Sequence, residues 1–242
     1  MLFNPGVFAM IRTLSETVVL PVAGLLLTFV MTWELIQLII DQNNLHSIDT
    51  WIFFKWVFKT MIAVFILTHT FTIVTVIFDV SQYAIFNSVG VINNETAITI
   101  DTFGAFAAHL ETMSVGALTG LFLQSFLMRI VIMAINIVIF IIVYGRMIEI
   151  YLLTSLAPIP LATLTNSQMS GMGQNYLKSL LAVSFQGLLM LVCVAIYAAL
   201  VQNIAIGGDP VGAIWSVIGY TVLLCFTLFK MGSVSKSTFG AH

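Results

Sequence analysis

The sequence predicts an all-α protein whose helices cross a membrane several times. Of its 242 residues, 60% are hydrophobic and 7% are charged, and the mean hydropathy is +1.09. A soluble domain carries about 25% charged residues, so this composition excludes a large water-soluble domain. Apolar runs long enough to span a bilayer, about 20 residues each, recur along the chain. We therefore predict one integral membrane domain over residues 1–242.

Charge and motif content exclude several classes of function. The net charge of -2 argues against a basic surface for nucleic acid. Both cysteines, Cys193 and Cys225, stand in apolar runs, where buried packing residues are the expected role rather than a disulfide or a metal site. The chain carries no HExxH, GxSxG, CxxC or phosphate-binding glycine loop. We expect no enzyme activity, no catalytic or metal site and no cofactor. Bound lipid is compatible with this expectation.

The first part of the chain predicts two crossings joined by a polar turn. Asn4 and Pro5 form a helix start, because asparagine caps a helix and proline suits its first turn. A short interfacial helix then leads into a first crossing over Thr17–Ile40. The second crossing covers Trp51–Asp79, and its entry carries Lys55 and Lys59 beside tryptophans. Such an entry is typical of a membrane–water boundary.

Residues 80–115 are predicted to form an extracytoplasmic loop. The segment is polar and contains no lysine or arginine. Within it, Phe103, Phe106, Leu110 and Met113 recur at helical spacing. This pattern predicts an amphipathic helix at the membrane surface or against a neighbouring subunit.

A central apolar stretch, Gly116–Asn166, is more than twice the length of one crossing. We expect an interruption at Gly145, and a second break at Pro158 and Pro160 because proline cannot continue a helix. The segment after Gly145 then either spans fully, which gives six crossings, or re-enters at the prolines and returns. A re-entrant element needs protein or water around its irregular backbone.

Two more crossings, Leu177–Ile206 and Val211–Phe229, end the chain. Five full crossings plus the proline-broken segment place nearly all cationic residues on one side, which is the cytoplasm by the positive-inside rule. This topology is preferred, with the N-terminus outside and the C-terminus inside. The residues that it groups are Lys55, Lys59, Arg146, Lys178, Lys230 and Lys236, and Arg12 is the exception.

Four ionisable residues in or near the crossings are candidates for function. Arg129 stands within an apolar helix, where a charge is costly and marks a functional site by default. It could line a pore or a subunit contact, or its side chain could reach the outer interface. Glu34 is expected to be solvated near the cytoplasmic end of its crossing, Asp79 is expected at an interface, and His69 stands alone among threonines. With Lys55 and Lys59, these residues are our candidates for a pore or a contact between subunits.

Small residues at helical spacing predict close packing of helices, either within one subunit or between subunits. The residues concerned are Gly116, Gly120, Ala195, Ala199, Gly212 and Gly219.

One part of the sequence resembles a known family. The run from Arg146 reads RMIEIYLLTSLAPIPLATL, and after a polar turn it continues to Leu200 as NYLKSLLAVSFQGLLMLVCVAIYAAL. It resembles the TrbL-type polytopic proteins of the bacterial inner membrane, which belong to VirB-class conjugation and type IV secretion systems. This chain is shorter than many members and lacks their long polar tails.

The resemblance implies a channel or scaffold subunit through which DNA or protein leaves the cytoplasm. It implies work beside ATPases and other membrane subunits, and it suggests a homo-oligomeric ring such as a pentamer. The alternative is a stand-alone transporter or channel for ions or small solutes, which would need convergent charges within one subunit.

Overall fold

The computed structural model describes residues 5–41, 50–95, 111–202, 204 and 210–241. These ranges are almost entirely helical and contain no strand, so the all-α prediction is confirmed. The helices are α1 (Pro5–Leu14), α2 (Leu20–Asp41), α3 (Thr50–Thr68), α4 (Thr70–Glu95), α5 (Val115–Leu156), α6 (Pro158–Ala162), α7 (Ser170–Gln202) and α8 (Pro210–Phe239), with a π-helical segment, Ser15–Val19, between α1 and α2.

Six helical segments in the described ranges are long and apolar enough to cross a membrane. The prediction of a polytopic membrane protein is confirmed on this ground. The segments are Pro5–Ile40, Thr50–Thr68, Thr70–Ile92, Val115–Leu156, Ser170–Gln202 and Trp215–Phe239.

The first described helix, α1, includes Pro5, and the predicted cap Asn4 lies outside the described residues. The predicted interfacial helix and first crossing form one run, Pro5–Ile40, in which the π-helical segment inserts a wider turn. The predicted second crossing is built from α3 and α4. Helical hydrogen bonds continue across His69, because its N–H donates to Phe65 O at 3.1 Å and its carbonyl accepts from Ile73 N at 2.9 Å.

The prediction of a loop beginning at Val80 is wrong for its first part. Helix α4 continues to Glu95, and it carries Tyr83, Phe86 and Val91 as exposed apolar side chains. Backbone hydrogen bonding in an apolar setting outweighs the modest helix propensity of asparagine and serine in this segment. The predicted amphipathic helix through Phe103, Phe106 and Leu110 lies outside the described residues.

The predicted interruption at Gly145 is also wrong. Helix α5 runs unbroken over 42 residues, which is about 63 Å, twice the apolar thickness of a bilayer. A glycine inside a helix costs only about 1 kcal/mol, which the apolar residues on both sides outweigh. Among the described residues, positive φ occurs at Gly240 and not at Gly145.

The predicted proline break coincides with the junction between α5 and α6, and the segment before it is the end of α5. Helix α5 ends at Leu156, α6 begins at Pro158, and the chain has reversed by the start of α7. Tyr176 on α7 donates its hydroxyl hydrogen to Leu153 O on α5 at 2.9 Å. The short α6 packs against α2, α3 and the π-helical segment. Protein therefore surrounds the backbone at this junction.

The chain divides into two compact units, and α4, α5, α7 and α8 contribute residues to both. Unit 1 holds the described residues of Met1–Gln82, Met147–Ser184 and Lys236–His242. Its two buried clusters are centred on Val74 and Leu180 and on Ala23 and Ala63.

Unit 2 holds the described residues of Tyr83–Arg146 and Phe185–Ser235. Its buried cluster consists of Met190, Leu224 and Leu228, with Cys193 and Tyr197 packed against it.

The end of α8 lies ten residues beyond the predicted end of the last crossing. Lys236 near this end pairs with Glu149 on α5 at 3.2 Å. Gly240 has a φ of 61°, Ala241 N donates to Lys236 O at 2.9 Å, and Gly240 N donates to Ser237 O at 3.2 Å. This is a Schellman ending, for which glycine is the favoured residue.

Candidate functional site

A buried ion pair joins α2 to α3 within unit 1. Glu34 on α2 is 6% exposed, and its Oε1 accepts a charge-assisted hydrogen bond from Nζ of Lys59 on α3. The lysine side chain is 34% exposed, so its stem reaches from the surface into the contact. The expectation that Glu34 is solvated is therefore wrong. A buried carboxylate is tolerated here because a cation and further donors satisfy it.

Asn166 connects this ion pair to the turn after α6. Its Nδ2 donates to Glu34 Oε2 at 3.1 Å and to the Val30 carbonyl at 3.5 Å. Its Oδ1 accepts from the backbone N–H groups of Gln168 and Met169, both at 2.9 Å. One buried amide therefore orders the turn that leads into α7 and holds that turn on α2.

Trp56 provides a second contact between α2 and α3. Its indole N–H donates to the Met31 carbonyl at 3.1 Å, one helical turn away from the ion pair on both helices. A tryptophan at a boundary often buries its ring while its N–H finds a partner in this way.

The short helix α6 is buried or half-buried along its whole length in unit 1. Ala157, Leu161 and Ala162 are at most 2% exposed. A Cβ added to Gly173 on α7 would lie 2.8 Å from the Pro160 carbonyl oxygen and 2.9 Å from Leu164 Cα. The first turn of α7 can approach this closely only because residue 173 has no side chain.

Unit 2 presents a polar stripe on the outside of α5. Ser125, Arg129 and Asn136 are all exposed. At 100° per residue they lie within about 40° of one another around the helix. Among the described residues of the chain, no ion pair involves Arg129. The helix buries a different face, which carries Met128 and Ile135.

The side of α5 opposite the polar stripe is also open. Gly116 and Gly120 are exposed, and a Cβ added at either would meet nothing within 4 Å in the part of the chain that the structure describes. In the part of the chain that the structure describes, α5 therefore has two exposed flanks, one polar and one formed by small residues.

A comparison with models of protein families supplies the identification. Residues 1–158 match the family described as TrbL/VirB6 plasmid conjugal transfer like protein. The chain belongs to the TrbL/VirB6 family. It is therefore a component of a conjugal transfer, or type IV secretion, system and associates with other components of that system. The family is known for a structural role rather than as an enzyme.

The residues that match the TrbL/VirB6 family model are mostly different from the residues that carry the resemblance noted in the sequence. It covers residues 1–158, whereas the resembling run extends from Arg146 to Leu200, so the two share only the residues up to Pro158. No curated protein and no solved structure matches the chain in the corresponding comparisons.

Three of the predicted candidates stand apart from the Glu34–Lys59 pair in this TrbL/VirB6 protein. The exposed His69 ring stacks on Phe65 with ring centroids 4.4 Å apart, and its Nδ1 lies 3.0 Å from the Phe65 carbonyl. Asp79 is exposed on α4. Nζ of Lys55 lies 5.9 Å from the ring centroid of Trp51, as expected at a membrane–water boundary.

Close helix approaches occur at glycines other than the predicted ones. Gly219 is exposed and, like Gly116 and Gly120, has open space where a Cβ would be, within the described part of the chain. In unit 2 the close approach is at Gly187, where an added Cβ would lie 2.5 Å from a guanidinium nitrogen of Arg146.

The other small-residue positions make ordinary contacts. Ala195 is half-buried and Ala199 exposed on α7. The Gly212 carbonyl accepts the hydroxyl hydrogen of Ser216 at 2.9 Å.

The structural contacts of Asn166 and Gly173 were not predicted from the sequence. Asn166 stands in a polar turn, where asparagine is common and no pattern reveals its partner 132 residues away. A signal existed for Gly173, since two glycines within one turn of a helix start are unusual unless something packs against one of them. Among the described residues, no three His, Cys, Asp or Glu side chains gather in a way that could hold a metal ion.

Proposed function

We propose that this protein is a channel or scaffold subunit of its transfer system and that it acts as a homo-oligomer. The observation that carries the proposal is the exposed arginine on α5, the most apolar of the candidate membrane spans. Arginine at the centre of a membrane helix costs about 3 kcal/mol on insertion scales. Such residues face a water-filled path or another protein segment, which the exposed face of one subunit does not supply.

The polar neighbours of Arg129 strengthen this proposal. An arginine whose side chain only extended to the nearest membrane–water interface would need no polar residues beside it on the helix. Ser125 and Asn136 share its face and extend the stripe over about 16 Å of helix. A stripe of this length fits a helix that lines a hydrated path or meets a polar partner helix.

The open glycine side of α5 fits the same arrangement. In a closed ring each subunit uses two different surfaces, one for each neighbour. Helix α5 has two flanks beside its buried face, and Gly116 and Gly120 would let a neighbouring helix approach one of them closely. The polar stripe would then face the shared path.

A stand-alone transporter has weaker support. It would need unpaired polar groups that converge within one subunit. In unit 1 the buried carboxylate of Glu34 is already satisfied by Lys59 and Asn166, and His69 faces outward.

We further propose an inner-membrane location with the N-terminus outside and the C-terminus in the cytoplasm. The chain cannot reverse its direction within the single turn residue His69, so α3 and α4 together count as one membrane crossing. The described helices then make five crossings. An introduced cysteine at Ser170 should be labelled from the cytoplasmic side only. Labelling from the outside would contradict this orientation.

The proposal predicts that Arg129→Leu impairs transfer without impairing insertion. We expect the conjugation frequency to fall at least about tenfold, because the stripe loses its charge. The membrane level should hold or rise, because removal of the arginine lowers the insertion cost by about 3 kcal/mol. Mating frequency and immunoblots of washed membranes measure the two effects.

Two variants serve as controls for this experiment. Arg129→Lys keeps the charge and should retain most of the transfer. Arg12→Leu removes the same charge from an exposed site that already pairs with Glu16 at 2.8 Å, and it should transfer normally. Wild-type frequency in Arg129→Leu would contradict the proposed role of the stripe.

A further inference from the structure

Two contacts fix the register between α7 and α8 in unit 2. The hydroxyl groups of Tyr197 and Thr221 are hydrogen-bonded at 2.9 Å. A second contact joins Gln186 to Gly232, because Gln186 Nε2 lies 3.4 Å from the position that a Cβ would take on Gly232. Gln186 is eleven residues before Tyr197 on α7, and Gly232 is eleven residues after Thr221 on α8. The two helices are therefore antiparallel, and their register is constant between these contacts.

This register places the two cysteines of the chain level with each other. Cys193 is four residues before Tyr197, and Cys225 is four residues after Thr221. Each also lies on the contacting face of its helix, since Gln186, Cys193 and Tyr197 recur at helical spacing. Thr221, Cys225 and Gly232 recur in the same way on α8.

The packing around Cys193 confirms that this face is the contact. Cys193 and Tyr197 pack against the buried cluster formed by Met190, Leu224 and Leu228. Packed helix axes lie about 8–10 Å apart, and each Cα is about 2.3 Å from its axis. Facing Cα atoms are then roughly 3–5 Å apart where the two axes are closest, and the upper part of this range falls within the roughly 4.4–6.8 Å span of a disulfide.

We propose that Cys193 and Cys225 are a redox pair that closes to a reversible disulfide and ties α7 to α8. Both thiols are free and half-buried in this structure. Closure proceeds by exchange with a disulfide of a small molecule or of an oxidised dithiol protein. One Sγ–Sγ bond forms, the bond of that disulfide breaks, and its two sulfurs leave as thiols with the two protons. The inference does not depend on the oligomeric state.

The first test uses the full-length protein in nanodiscs. Before oxidation, intact mass spectrometry should show two N-ethylmaleimide adducts per chain after alkylation in denaturant. After treatment with oxidised glutathione it should show none, with a mass loss of two hydrogens and no dimer on a non-reducing gel. The midpoint of thermal unfolding should rise by roughly 5–10 °C on oxidation.

A register control distinguishes a facing pair from two merely reactive thiols. The variant Cys225→Ala/Phe226→Cys moves the thiol by one residue, which is 100° around α8, to a position that is 67% exposed. Under the same oxidant, this variant should form no internal disulfide. Its two thiols should remain open to alkylation or should each carry glutathione. The single variant Cys225→Ala checks that the fold tolerates loss of the native thiol.

The second test measures the redox state in cells competent for transfer. Acid quenching followed by alkylation should reveal a measurable disulfide fraction in the wild type and none in Cys193→Ser. The proposal is overturned if the native pair is fully reduced in quenched cells. It is also overturned if the purified pair resists oxidation, or if the shifted pair cross-links as readily.

Discussion

Replacing Lys59 by methionine is expected to lower the free energy of unfolding by about 3 kcal/mol. The change leaves the Glu34 carboxylate 6% exposed and without its cation. Asn166 would still donate one hydrogen bond to it, but a neutral amide cannot replace an ammonium group. The expected loss is at the lower end for a buried pair, because a third of the lysine side chain is exposed. Thermal unfolding of the detergent-solubilised protein measures the change.

The matched control is Lys55→Met, the same substitution four residues earlier on α3. Lys55 is exposed and contacts the Trp51 ring, so its loss should change stability by at most about 0.5 kcal/mol. The double variant Glu34→Gln/Lys59→Met should recover more than half of the loss, because no charge is then left buried without a partner. Equal stability of Lys55→Met and Lys59→Met would show that the ion pair does not stabilise the α2–α3 contact.

The substitution Gly173→Ala is expected to lower the free energy of unfolding by about 2 kcal/mol. The new methyl group would lie within 3 Å of backbone atoms of Pro160 and Leu164. Backbone atoms cannot rotate away as the end of a side chain can, so α6 or the first turn of α7 must shift. Thermal unfolding and limited proteolysis in the turn before α7 should both detect this shift.

The control for this substitution is Gly171→Ala, two residues earlier in the same helical turn. A Cβ at Gly171 meets nothing within 4 Å in the described part of the chain. Alanine there should be neutral or should raise stability by up to about 1 kcal/mol, because alanine favours helix. If both variants behave alike, the close approach of α7 to α6 is absent in solution.

The general architecture could be predicted from the sequence because it depends on local patterns. Apolar length predicts the membrane helices, and the prolines at 158 and 160 mark the junction between α5 and α6. The ends of helices were harder to predict. A polar segment can continue an apolar helix when its backbone has no better partner, as in the part of α4 after Val80.

The Glu34–Lys59 site could be predicted only as a set of candidates. Glu34 was singled out as an ionisable residue near a crossing, and Lys59 as a lysine at a membrane–water boundary. Their partnership depends on how α2 and α3 are aligned. Asn166 depends on a contact between residues distant in sequence, and no local pattern encodes such a contact. Arg129 remains a functional hypothesis, because the structure places it on an open surface and does not supply its partner.

The central claim is that several copies of this TrbL/VirB6 protein form one assembly around a shared path. The most direct test is the mass of the full-length protein in nanodiscs, with electron-microscopy class averages viewed along the membrane normal. The account predicts a closed ring of several subunits with α5 at the subunit contacts or at the central path. A monomer, or a compact dimer without a central path, would contradict it.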